Sequence, residues 1–165
     1  MATKKNKSST GAKERHVAAK RRKLRAHAEA QIEEYLRGVG FEKPSELKQA
    51  GRYDLDTGNA QGFATVQNLG GELTYLVAVR IMALPSDQEL VVPLLRELVE
   101  LNAEIMGPAR VAIEGDAVFA GVQDVVELMP DPDFGRYIDA TLGVAEDAMK
   151  RLSRKYGETT RKRKR

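Results

Sequence analysis

The sequence predicts an α+β domain in which an antiparallel sheet of about five strands is backed by three helices, with basic extensions at both ends. Apolar residues at helical spacing open the domain, and three alternating segments separated by glycine-containing turns follow. A leucine-rich helical segment, a second pair of alternating segments and a final amphipathic segment complete the chain. The predicted order is therefore α-β-β-β-α-β-β-α.

The first helix is predicted from its apolar periodicity. Glycines at 38 and 40 supply a helix stop, and the segment 28–39 carries a continuous apolar stripe. Arg21 interrupts that stripe in the preceding basic segment, so only the later part is expected to pack. The residues that share one side of the helical wheel are Val17, Leu24, Ala28, Ile32, Leu36 and Val39.

Three strands are predicted next, over 51–56, 62–68 and 73–84, with turns at 56–59 and 69–71. The third strand is apolar on both sides, which is typical of a central strand. Arg80 lies within it. An arginine there indicates either a buried partner carboxylate or an open groove.

The second helix is predicted to begin at a capping box formed by Ser86 and Glu89 and to run to about Met106. Pro93 should either mark its true first turn or kink it. The glycine and proline at 107–108 end this helix, and its apolar face is wide. That face is predicted to consist of Leu94, Leu95, Leu98, Leu101 and Ile105.

The last two strands and the last helix follow. Segments 109–114 and 117–122 alternate as in a hairpin around Gly115 and Asp116. Asp131 and Pro132 are predicted as N-cap and first residue of a final helix that ends near Tyr156.

The formal net charge of +3 averages three unlike regions. Residues 1–27 carry about +9, residues 150–165 about +8, and the segment between them about −14. We therefore predict a basic arm over 1–27, an acidic domain over 28–156 and a basic disordered tail over 157–165. Within the arm, 1–11 are expected to be disordered and 12–27 to extend the first helix beyond the domain.

The basic ends predict affinity for polyanions by counterion release, without base reading, because aromatic side chains for stacking are missing beside them. Solubilising tails, or arms that fold back on the acidic domain, are the alternatives. The candidate polyanion-binding residues are Lys20, Arg21, Arg22, Lys23, Arg25, Arg161, Lys162, Arg163, Lys164 and Arg165.

Enzymatic and metal chemistry have little support in the sequence. His16 and His27 are surrounded by positive charge, and the chain has no cysteine, no G-x-S-x-G element and no phosphate-binding P-loop. The stretch 54–59 fails the calcium-loop pattern, because Gly58 and Asn59 occupy the fifth and sixth positions. We expect no enzymatic activity, no cofactor and no metal. Without a secretory signal or membrane span, a cytoplasmic location is expected.

A family resemblance rests on residues 94–128, LLRELVELNAEIMGPARVAIEGDAVFAGVQDVVEL. A leucine-rich helix ends in Leu101 and Asn102, and a hairpin with a Gly-Asp turn leads to a long amphipathic helix. This segment resembles the superfamily that joins YbjN-type proteins with type III secretion chaperones. The resemblance covers roughly residues 28–152 and includes the predicted order of elements.

The resemblance implies a small acidic protein-binding module that is usually dimeric and not catalytic. We therefore expect a protein segment or protein partner, a homodimer and no membrane contact. The alternative is nonspecific binding of DNA or RNA through the basic arms. For each candidate contact residue, a place in the core is the competing interpretation. These candidates are Tyr75, Val77, Val79, Leu95, Leu98 and Phe119.

Overall fold

The structure is a computed structural model and describes residues 7–49, 51–55, 61–128 and 133–156. It confirms the α+β class, three helices and the predicted order, with six strands instead of about five. The elements are α1 (Lys7–Gly38), β1 (Lys48–Gln49), β2 (Arg52–Asp54), β3 (Gln61–Leu69), β4 (Glu72–Ala83), α2 (Gln88–Glu104), β5 (Arg110–Glu114), β6 (Ala117–Val125) and α3 (Phe134–Tyr156).

The additional strand is β1, which pairs with β2 through only two residues. A strand of that length is too short to show an alternating pattern, which is why periodicity missed it. Short 3₁₀ helices at Pro44–Leu47 and Val126–Leu128 precede β1 and follow β6.

The strands form one antiparallel sheet in the order β1-β2-β3-β4-β6-β5. The central position predicted for the third long strand is confirmed, because β4 lies between β3 and β6. A bulge between Arg80 and Met82 shifts its register with β6. The predicted hairpin around residues 115–116 is also confirmed, and Gly115 adopts a φ of 60°, as a tight hairpin turn requires.

All three helices cover the same face of the sheet. On that face of β4, Tyr75 and Val77 belong to a core cluster that includes Ile32 and Leu36 of α1. Val79 belongs to a second cluster, shared with Leu94, Leu98 and Leu101 of α2. Helix α3 contributes its first half to one cluster and its second half to the other. No element of the described ranges covers the opposite face of the sheet.

Two helix starts differ from prediction. Helix α1 begins at Lys7 and not at residue 12. Apolar spacing does not detect a polar solvated turn, whereas an existing helix gains one hydrogen bond for each residue added. Residues 1–6 lie outside the described ranges. The division of the chain into arm, domain and tail stays a prediction.

Helix α2 is capped by Asp87, one residue after the predicted Ser86, because the Asp87 carboxylate accepts from the Glu89 amide at 2.9 Å. Pro93 is the sixth residue of α2, so its alternative as a first-turn residue is wrong. Helix α3 begins at Phe134, after Asp133, whose carboxylate accepts from the Arg136 amide at 3.0 Å. The predicted cap at 131–132 lies outside the described residues.

Candidate protein-binding surfaces

The six candidate contact residues occupy different environments. Tyr75, Val77 and Val79 are each 0% exposed and Leu98 is 5% exposed. The structure therefore places these four in the core, where they are inaccessible to a partner while the helices stay in place. Leu95 is 45% exposed on α2, and Phe119 is half-buried on the uncovered face of the sheet.

The burial of Tyr75 illustrates why these side chains are structural. Its ring lies 4.5 Å from that of Phe134, and its hydroxyl donates to the Phe134 carbonyl at 3.1 Å. Burial raises the pKa of this hydroxyl well above its ordinary value. The residue therefore joins the centre of the sheet to the start of α3.

The outer side of α2 carries an apolar stripe formed by Val92, Leu95 and Val99. These side chains are 64%, 45% and 71% exposed, respectively. Their spacings of three and four residues place them next to one another on a helix. We call them the α2 stripe. Sequence reasoning named only Leu95, although the unusually wide apolar face of this helix already signalled more apolar side chains than one core contact needs.

A buried carboxylate fixes which side of α2 faces outward. The Glu97 side chain is 7% exposed and accepts from Lys155 Nζ at 2.8 Å, Arg151 Nε at 2.8 Å and the Tyr156 hydroxyl at 2.9 Å. The hydrogen bonds from Lys155 and Arg151 lower the pKa of Glu97 from 4.5 to about 2. This cluster, which the sequence interpretation did not identify, attaches α2 to the end of α3.

Asn102 attaches the C-terminal end of α2 to the sheet. Its Nδ2 donates to the Val111 carbonyl at 2.8 Å, and its Oδ1 accepts from the Val111 amide at 2.9 Å. Strand β5 is an edge strand, so the Asn102 amide occupies groups that would otherwise be open to another strand. The Leu-Asn element seen in the sequence thus has a defined structural role.

The uncovered face of the sheet contains a groove of about 630 Å³. Arg80 is exposed within this groove, and no ion pair to its guanidinium is found in the described part of the chain. Of the two alternatives for Arg80, the open groove agrees with the structure. Phe119 lies directly opposite Arg80 in the register, and Arg52 lies over the Phe63 ring, 3.6 Å from its centroid.

The basic segment of α1 is divided by its contacts. Arg21 Nε lies 2.9 Å from Glu127 Oε1, and Arg25 donates to the Val66 carbonyl at 3.0 Å. Arg21 and Arg25 therefore contact the domain, although they belong to the segment predicted to extend beyond it. Lys20, Arg22 and Lys23 are exposed. The candidates at 161–165 lie outside the described residues.

Other sites considered in the sequence show little organisation. His16 is exposed, and a His27 ring nitrogen lies 3.1 Å from Gln31 Nε2. Across 7–49, 51–55, 61–128 and 133–156, no group of three or more histidine or acidic side chains is arranged to hold a metal ion. Within those same ranges, no helix combines the length and apolar character needed to cross a membrane. Residues 56–59, which form most of the stretch 54–59 that fails the calcium-loop pattern, lie outside the described ranges.

Comparison with known proteins gives a structural likeness without a sequence relative. No protein-family model and no curated protein matches the sequence. The fold is similar to that of a chain in the crystal structure of the ExsC–ExsE complex, with a TM-score of 0.53 and 12% identity. The match covers 77% of this chain and 94% of that chain. At this identity the likeness concerns the fold alone.

Proposed function

We propose that this chain is a non-enzymatic, cytoplasmic protein-binding module of the chaperone-like or regulatory kind, and that it forms a homodimer through α2. The exposed α2 stripe carries the proposal. An ordered helix that leaves three large apolar side chains in water on one face has the surface expected of a protein contact.

The fold adds support of a different kind. The similar chain was crystallised in a complex of two proteins, ExsC and ExsE. The resemblance of residues 94–128 to the YbjN and secretion-chaperone superfamily also implies protein binding. Protein binding is therefore favoured by the exposed surface, by the fold and by the sequence resemblance, whereas catalysis is favoured by none of them.

A twofold axis near Leu95 gives the stripe a self-complementary arrangement. With two α2 helices antiparallel, Val92 of one copy meets Val99 of the partner subunit, and the two Leu95 side chains meet near the axis. Each apolar side chain buried in this way contributes about 1.5–3 kcal/mol before the cost of association is subtracted.

Sedimentation equilibrium of the full chain tests the dimer. Val99→Glu places a carboxylate without an ion-pair partner against Val92 of the partner subunit in each half of the contact, which costs several kcal/mol, so we expect the dissociation constant to rise at least ~100-fold. Val39→Glu is the matched control, because Val39 is 54% exposed but lies outside the α2 stripe. A monomeric wild-type chain, or a Val99→Glu variant that dimerises normally, contradicts the proposed dimer.

The second candidate function is nonspecific binding of DNA or RNA through the basic arms. It is favoured by the exposure of Lys20, Arg22 and Lys23 within about one turn of α1. Electrophoretic shift with duplex DNA and RNA across salt concentrations tests it. Each neutralised DNA phosphate adds roughly 0.9 to the negative log–log salt slope.

Changing those three cations to glutamine should then lower the slope by about one to three. A matched triple variant at the exposed residues Arg96, Arg136 and Arg154 should leave it unchanged. Absence of any shift at low salt removes this candidate. Affinity capture with and without nuclease separates the two functions, since only partners held by nucleic acid are lost on treatment.

A further inference from the structure

The uncovered sheet face carries a cation, Arg80, on the central strand β4. Strands β3, β4 and β6 align Gln61 with Arg80 and Arg80 with Phe119, and the neighbouring row aligns Phe63 with Ala78 and Gly121. Arg80 thus has one phenylalanine directly opposite and another on the diagonal, within reach of a long side chain. The residues at 78 and 121 are small, so they leave open space between these aromatic rings.

The guanidinium of Arg80 is not neutralised by its surroundings in the described ranges. Asp54 and Glu114 line the same groove, but neither forms an ion pair with Arg80. Arg52, the other arginine of the groove, is engaged with the Phe63 ring. By contrast, Arg21 and Arg151 are paired with carboxylates at 2.8–2.9 Å. Arg80 is therefore the arginine of this groove that is available to a ligand.

The charges around Arg80 restrict the chemistry of that ligand. The groove is lined by two arginines and two carboxylates, so it presents no net field that attracts a polyanion. A guanidinium beside aromatic rings binds a carboxylate through two parallel hydrogen bonds, which are stronger where water is partly excluded. The groove volume of about 630 Å³ accommodates a few side chains.

We propose that this groove binds an extended protein segment in which one acidic side chain, flanked by apolar or aromatic residues, pairs with Arg80. The flanking side chains rest on Phe119 and against the Arg52–Phe63 pair. The inference rests on the proposed function as a protein-binding module and adds the site and the chemistry of the bound segment. This surface lies on the side of the sheet opposite α2, so segment binding and dimerisation use separate faces.

A library of random short peptides displayed on phage, selected on the immobilised full chain, tests the site without knowledge of the natural partner. We expect Asp or Glu to be enriched at one position between apolar residues. The most enriched peptide and its acid-to-amide variant are then synthesised and their binding is measured by fluorescence anisotropy. Arg80→Gln should weaken binding of the acidic peptide about tenfold, as expected for a hydrogen bond to a charged group, and leave that of the amide peptide unchanged.

Arg136→Gln is the matched control, because Arg136 is also exposed but lies on α3, away from both the groove and the α2 stripe. Its peptide affinity should equal that of the wild-type chain. Since Arg80 is exposed and unpaired in the described ranges, Arg80→Gln should unfold at the wild-type temperature, which separates binding from folding.

Several results overturn the inference. These are a wild-type selection that enriches no peptide, enrichment of basic or uncharged peptides, and equal affinity of the acidic peptide for Arg80→Gln and wild type. Loss of duplex RNA binding in Arg80→Gln also overturns it, because the groove would then bind a polyanion. Sedimentation distinguishes this failure from that of the proposed function, since peptides that bind independently of Arg80 to a dimeric chain leave the protein-binding module intact.

Discussion

The two ends of the helical layer are attached to the domain by ion pairs that differ in burial. The Glu97 side chain of α2 is 7% exposed and accepts hydrogen bonds from Arg151, Lys155 and Tyr156 of α3. In α1, by contrast, Arg21 and Glu127 are 39% and 21% exposed, and the pair is partly accessible to water. Basic residues are frequent in both regions. The expected contributions to stability therefore differ because the Glu97 carboxylate is more buried than that of Glu127.

The largest effect is expected from Glu97→Ala. Removal of this carboxylate leaves the buried Tyr156 hydroxyl without its acceptor and removes the ion pair of Lys155 with Glu97, whereas Arg151 keeps its pair with Glu104 at 2.8 Å. Because both cations can still reach water, the free energy of unfolding should fall by about 3 kcal/mol, near the lower end for a broken buried pair. Urea unfolding followed by tyrosine fluorescence measures it.

Glu100→Ala provides the control on the same helix. Glu100 is 58% exposed and lies 3.8 Å from Arg151, so its loss should cost less than about 1 kcal/mol. Equal losses for the two variants would show that burial does not distinguish these carboxylates.

The stability contributed by Glu97 should also depend on pH. Its pKa is lowered from 4.5 to about 2 in the folded chain, chiefly by the hydrogen bond from Lys155. The ionised carboxylate therefore stabilises the fold above pH 4.5, and this contribution is lost as the pH falls toward 2. The difference in unfolding free energy between wild type and Glu97→Gln should shrink over that range. A constant difference would contradict the assignment.

An intermediate effect is expected at Asn102, which joins α2 to β5 by neutral hydrogen bonds. Asn102→Ala removes both bonds to Val111, and the free energy of unfolding should fall by about 1–2 kcal/mol. Asn102→Asp keeps the acceptor for the Val111 amide, but its second carboxylate oxygen faces the Val111 carbonyl oxygen as acceptor against acceptor, so its loss should be at least as large as that of the alanine variant. Thermal unfolding of the three chains gives the comparison, and equal melting temperatures for wild type and Asn102→Ala would exclude this role.

The fold was largely predictable from periodicity, but the position of the exposed surface was not. Alternation correctly grouped Tyr75, Val77 and Val79 on one side of β4. Since the other side also carries Leu76, Ala78 and Met82, composition did not indicate which side the helices cover. Only the packing of α1, α2 and α3 settles that question, and it places Tyr75, Val77 and Val79 in the core.

The density of charged residues also did not predict which basic side chains are exposed. The five cations of residues 20–25 look alike in the sequence, but Arg21 and Arg25 meet acceptors from distant parts of the chain, at 127 and 66. The Glu97 cluster was missed for the same reason, because its members are separated by more than fifty positions. Local patterns predict helices and turns, whereas these contacts depend on tertiary packing.

The smallest effect on global stability is expected from Arg21→Gln. The pair with Glu127 is partly exposed, so its loss should cost less than about 1 kcal/mol in urea unfolding. Local opening should respond more strongly, because Arg21 and Arg25 attach the basic segment of α1 to Glu127 and to the Val66 carbonyl. We expect faster amide hydrogen exchange over residues 13–24 and unchanged exchange in β4. Arg22→Gln, at an exposed neighbour, should change neither quantity. If Arg21→Gln instead lowers stability as much as Glu97→Ala, the basic segment unfolds cooperatively with the core, and the contrast between the two attachments does not hold.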